Sequence, residues 1–179
     1  MNFGDLHPFF VHFPIAFFIL ILIIEIMRLF TSRIDSIVSL TILFLGTTLA
    51  FLAVQSGESE KARTLIYFDE LSRSLYIPLY PGQGHLLLAQ TSEITEEIND
   101  HEQKGNIVMW SSIIIFFIWL WMYLKERDYK YIKILLILIL VVFVLRSAFS
   151  GGKLVRDRGI GSPNPDYHIK VYPPPYIVK

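Results

Sequence analysis

Residues 9–30 read FFVHFPIAFFILILIIEIMRLF, a nearly unbroken apolar run in which His12, Glu25 and Arg28 are the ionisable side chains. A bilayer's hydrocarbon core is about 30 Å thick and a helix rises about 1.5 Å per residue, so roughly 20 such residues cross it. This run is long enough. Three further windows approach the same length, at residues 37–54, 107–124 and 132–149. Hydrophobic residues make up 53% of the chain and charged residues 18%, and the apolar ones are gathered into these blocks. The sequence therefore predicts an all-α integral membrane protein with four transmembrane helices.

The connections predict how the helices pair. Residues 31–36 and 125–131 are short polar turns, so helices 1 and 2 form one antiparallel hairpin and helices 3 and 4 another. A long outer loop, residues 55–106, joins the hairpins. Its stretch 93–102 is rich in Glu and free of Gly and Pro, which favours helix, and Tyr80-Pro81-Gly82-Gln83-Gly84 is turn chemistry. Residues 1–158 form the membrane domain. Residues 159–179 carry Pro163, Pro165 and Pro173-Pro174-Pro175 and predict an extended tail. Tyr167, Tyr172 and Tyr176 give that tail aromatic contact area, so the tail and residues 65–92 are expected surfaces for other membrane or periplasmic subunits. Basic residues divide evenly between the two sides, but Arg28 and Arg33 follow helix 1 whereas the segment before it has only Asp5. The positive-inside bias then places both termini and the long loop outside.

Composition excludes several classes of function. A formal net charge of zero provides no basic field for nucleic acid. Without cysteine there is no disulfide, thiolate nucleophile or Cys-ligated metal. The first apolar segment is too long for a signal peptide and lacks a basic leader, so helix 1 is expected to be retained. No P-loop, dinucleotide fingerprint or nucleophile elbow occurs.

All five histidines, His7, His12, His85, His101 and His168, fall on the outer side of this topology. His12 at the entrance of helix 1 and His101 before helix 3 lie at a similar depth. Two imidazoles on facing helices near one end of a four-helix bundle can ligate heme iron, and Phe9, Phe10, Phe13, Phe17, Trp110 and Phe116 are candidates to line the cavity. His7 and His12 are five residues apart, roughly 140° around a helix, so one of the two is the ligand from helix 1. His12, the deeper, is preferred. The competing reading is an interfacial histidine with one wet nitrogen and no ligand role. Arg146, one turn inside helix 4, is either a snorkelling cation or, with Lys153, Arg156 and Arg158, a counter-ion for heme propionates or an anionic headgroup. Gly57 reads as a helix C-cap, with Glu58 as a carboxylate near the site. Glu58, Glu96, Glu97 and Glu102 beside the histidines raise a second possibility, a His/Glu site for zinc, iron or manganese, although no Glu-x-x-His or His-Glu-x-x-His pattern is present.

The run Leu6-His7-Pro8-Phe9-Phe10-Val11-His12-Phe13-Pro14-Ile15-Ala16 resembles the N-terminal signature of the predicted bacterial membrane proteins called domain of unknown function 2231. Gln55-Ser56-Gly57-Glu58-Ser59-Glu60-Lys61-Ala62, His101-Glu102-Gln103-Lys104-Gly105 and Gly151-Gly152-Lys153-Leu154-Val155 resemble that family's later motifs, in the same order. The similarity covers about residues 6–161. One departure is Arg158, where the family commonly has His. The resemblance implies a four-helix protein of the bacterial inner membrane, sometimes associated with cytochrome-containing systems, and it favours His12 and His101 over His85 and His168.

The expected function is a membrane subunit of a bacterial respiratory or electron-transfer complex that binds a b-type heme near the periplasmic side. Its expected site residues are His12, His101, His7, Arg146 and Arg158. The alternatives are a non-catalytic assembly subunit with no cofactor and, third, a metal-ion or small-solute transporter. The transporter reading is disfavoured by the absence of a broken helix at midplane depth.

Overall fold

The computed structural model describes residues 3–31, 33, 35–76, 84–158 and 160. A short 3-10 turn, Phe3–Leu6, leads into α1 (His7–Phe30), α2 (Ser36–Tyr76), α3 (Gly84–Leu124) and α4 (Lys130–Arg158). All four helices are long and apolar enough to cross a membrane. Pro8 stands in the first turn of α1, where a missing backbone N–H leaves no bond unmade. α3 ends with Glu126 at φ 53° and with the Arg127 amide donating to the Met122 carbonyl at 2.9 Å, a closure that caps the last turn and reverses the chain into α4.

The helices pack because their buried positions recur at alternating steps of three and four. In α1 they are Pro14, Phe18, Ile21, Glu25 and Arg28. In α3, Ile94, Ile98, Val108, Ser112, Ile115, Trp119 and Met122 keep the same phase, as do Lys133, Ile137, Leu140, Val144 and Leu154 in α4. This period near 3.5 holds one seam of each helix toward its neighbours. α1 touches α2 and α4, and α3 touches the same two, so α1 and α3 stand on one diagonal and α2 and α4 on the other. Outside the seams lie exposed Phe30, Phe44, Phe117, Trp121, Leu135 and Phe149, an apolar belt suited to lipid. The lipid bilayer is thus the protein's surroundings.

The expected outer loop is largely helix. α2 and α3 each run for 41 residues, well past their apolar windows, so residues 55–76 and 84–106 extend the two central helices. The reason is that the seven-residue phase does not stop at the membrane boundary: Glu60 and Thr64 on α2 and Ile94 and Ile98 on α3 are still buried. The expected turn at residues 80–84 lies almost wholly outside the described residues. So does the tail, except Ile160, which packs with Ile94, Ile98 and Leu154.

At the opposite end, charges tie the hairpins together. Glu25 is fully buried and accepts two hydrogen bonds from Arg28, at 2.9 and 3.0 Å. Arg28 also donates to Asp128 at 2.8 Å, in the turn between α3 and α4. The Lys133 ammonium, buried over the Trp119 ring, donates to Asp128 at 2.8 Å and to Ser36 at 2.7 Å. Two cations and two carboxylates thus compensate one another, as buried charges must.

Candidate functional site

The site is built where four motif segments reach the same level of the bundle. His7 opens α1, and its Nδ1 lies 2.9 Å from the Ala53 carbonyl and 3.1 Å from Ser56 Oγ, both on α2. His101 lies on α3, its Nδ1 2.9 Å from Ser150 Oγ on α4. The two rings face each other across the diagonal with planes 77° apart and centroids 6.4 Å apart.

Hydrogen bonding fixes the tautomers. A carbonyl only accepts, so His7 Nδ1 is the protonated nitrogen and donates to Ala53. Ser150 donates its own proton to the Ser147 carbonyl at 2.9 Å, so its oxygen accepts from His101 Nδ1–H. Ser56 does the same toward the Ala53 carbonyl. In the neutral rings each Nε2 therefore carries a bare lone pair, and neither has a hydrogen-bond partner among the described residues.

Glycines occupy the other diagonal. A Cβ on Gly57 of α2 would stand 3.0 Å from His7 Cε1, and one on Gly151 of α4 would stand 2.8 Å from His101 Cε1. Gly57 is therefore no C-cap. It lies inside α2, where the lack of a side chain lets the backbone approach His7.

The profile of the family described as predicted membrane protein (DUF2231) matches residues 5–164. The chain belongs to this family. No curated protein and no solved structure matches it. In this DUF2231 chain the four quoted motifs converge on one layer, which takes His7 from the first, Ser56 and Gly57 from the second, His101 from the third and Gly151 from the fourth.

The pairing differs from the one expected. His12 does not face His101; it is exposed on the outer side of α1, with Nδ1 on the Pro8 carbonyl. The cause is helical phase. His7 lies seven residues before buried Pro14 and on the same seam, whereas His12 is two residues from it and turns away. His101 lies seven residues after Ile94 and seven before Val108, in phase with the core. That seven-residue spacing, rather than depth along the helix, separates the histidines that face the bundle from the one that faces outward.

Other candidates are placed elsewhere. Phe9, Phe13 and Trp110 are exposed, so they do not line a cavity between the histidines. Arg158 donates to Glu97 at 2.9 Å and to Glu93 at 2.8 Å, which joins α4 to α3 rather than serving the histidine layer. Arg146 is exposed on α4. Glu58 and Glu96 are exposed, and Glu102 pairs with Lys61 at 2.5 Å, so the carboxylates of the second metal possibility do not close around the histidines. Among the described residues no three His, Asp or Glu side chains gather as a metal-binding group. The side chains of His85 and His168 lie outside the described residues. Two partners escaped the sequence reading. Ser150 had no motif to mark it, and Glu60, buried one turn beyond Ser56 and paired with Arg63, sits under the Phe3–Leu6 turn.

Proposed function

We propose that this chain is a membrane subunit of a bacterial respiratory or electron-transfer complex, holding a b-type heme between His7 and His101. The observation that carries the reading is the diagonal imidazole pair with both Nε2 lone pairs bare. An imidazole nitrogen binds a metal at about 2 Å, so two rings sharing one ion have centroids roughly 6 Å apart. The observed 6.4 Å is close to that spacing, so His7 and His101 are the residues that would hold the group. Ala53, Ser56 and Ser150 accept the Nδ1 protons, which orients both rings and makes them stronger donors. A bound heme would supply one-electron redox chemistry. The proposed site belongs to the outer, periplasmic side of the inner membrane, with both termini on that side, a placement supported by Arg28 and Arg33 following α1.

The test is the oxidised-minus-reduced absorption spectrum of protein purified from its own membranes, and again after reconstitution with hemin. A low-spin heme spectrum is expected. His7→Ala and His101→Ala should each abolish it, while His12→Ala and His85→Ala keep it. A spectrum that survives His7→Ala overturns the assignment.

The second reading is an assembly subunit in which the histidines are only a packed polar layer. It is favoured by the closeness of Gly57 and Gly151 to the rings, which lets the layer close without a ligand. Absence of any heme spectrum after reconstitution, in folded protein, would select it.

A further inference from the structure

An open cleft of about 390 Å³ lies between α3 and α4, lined by Lys104, Leu145, Arg146, Phe149 and Ser150. We infer that this cleft seats the headgroup of one anionic phospholipid, with its phosphate on Arg146. The inference stands apart from the heme reading.

Position comes first. Arg146 lies within the last apolar turns of residues 132–149, at the depth where hydrocarbon gives way to headgroups. A charged group there is costly unless it is paired or reaches the interface. The other cations near this end of the bundle are compensated within the protein: Lys104 by Asp100, Lys153 by Glu97, Arg156 by Asp157, and Arg158 by Glu93 and Glu97. Arg146 has no partner among the described residues, which leaves it as the uncompensated positive charge of the cleft.

Chemistry and surroundings then choose the occupant. A guanidinium presents two parallel N–H donors that match two phosphate oxygens, and Lys104 has further N–H groups on the facing wall. Ser150 donates its proton to Ser147, so it adds no donor that would favour a different ligand. Leu145 and Phe149 flank Arg146 and are exposed, Phe149 by 76%, offering apolar surface to acyl chains. A free phosphate would leave that surface unused. A lipid covers both. The net negative charge of phosphatidylglycerol, whose phosphate is not offset by a headgroup cation, complements the unpaired guanidinium.

The experiment uses the full chain in mild detergent, stripped of lipid and titrated with short-tailed phosphatidylglycerol or phosphatidylcholine under native mass spectrometry. One phosphatidylglycerol is expected to be retained about tenfold more strongly than phosphatidylcholine, whose choline cation opposes the guanidinium. Arg146→Gln should remove the preference and Arg156→Gln should leave it. Inorganic phosphate and glycerol 3-phosphate should not compete at the concentrations that saturate the lipid. Equal retention of the two lipids, a preference intact in Arg146→Gln, or full competition by phosphate alone would each overturn the inference. Should Arg146→Gln unfold, Arg146→Lys gives the reading: phosphatidylglycerol retained as strongly as by the wild type overturns the fork, and weaker retention supports it.

Discussion

Arg28 of the first hairpin reaches Asp128 of the second at 2.8 Å while holding Glu25 with its other nitrogen, so one guanidinium satisfies two carboxylates on separate hairpins. Lys130 reinforces the junction by donating to the Arg28 carbonyl at 2.8 Å. Because Glu25 is fully buried, removing Arg28 strands a carboxylate without a counter-charge. Arg28→Met should therefore lower stability by roughly 3–5 kcal/mol, and Glu25→Leu combined with Arg28→Met should recover most of that loss. Thermal unfolding in detergent checks both. A single variant as stable as the wild type would mean that the cluster is incidental.

Asp128 makes the same junction sensitive to acid. Partial burial pushes its carboxyl pKa up, but hydrogen bonding and charge from Lys133, with Arg28 and Lys130, outweigh burial and hold it below the ordinary carboxylate range. A carboxyl with a depressed folded pKa contributes stability that is complete above its unfolded value, about 3.9, and is lost as pH falls through the folded one. The wild type should therefore lose stability below about pH 4. Asp128→Asn should start lower at pH 7 and show a shallower acid slope. Parallel slopes for the two proteins would overturn this.

Much of the fold was legible because lipid imposes long apolar helices, and the windows at 9–30, 37–54, 107–124 and 132–149 all lie within observed helices. The site was less legible. The place of His101 before helix 3 singles it out in the sequence, but depth favours His12 over His7, and depth does not report which way a residue faces. The seam running back from Arg28 through Ile21 and Pro14 points to His7, and it becomes visible only when buried positions are known. Gly57 was read as a stop because glycine after an apolar run usually ends a helix. Here close packing against His7 explains it, a tertiary cause that local sequence does not carry.

The neighbouring glycines of α4 separate packing from propensity. A Cβ on Gly151 would stand 2.8 Å from His101 Cε1, whereas one on Gly152 meets nothing within 4 Å. Gly151→Ala must displace the imidazole or the helix and should cost about 1–3 kcal/mol. Gly152→Ala adds a better helix former in open space and should be neutral or stabilising by up to about 1 kcal/mol. Unfolding of both variants, with hemin titration of each, gives the comparison. Equal effects would show that the histidine layer yields easily to an added methyl group.

The tautomers of His7 and His101 provide the most direct check on the layer, because they follow from proton counting along each chain of donors. Ser56 and Ser150 each give their hydroxyl proton to a backbone carbonyl, which obliges both oxygens to accept from an imidazole. The protein labelled with 15N-histidine should therefore show, for both rings at neutral pH and without ligand, a protonated Nδ1 and an unprotonated Nε2. Assignment comes from His7→Ala and His101→Ala, each of which removes one set of signals. Hemin should then broaden the signals of His7 and His101 together and leave those of His12, on the lipid side, sharp. A protonated Nε2 on either ring would break the hydrogen-bond assignment itself. Bare Nε2 atoms with no response to hemin would keep that assignment and remove the heme.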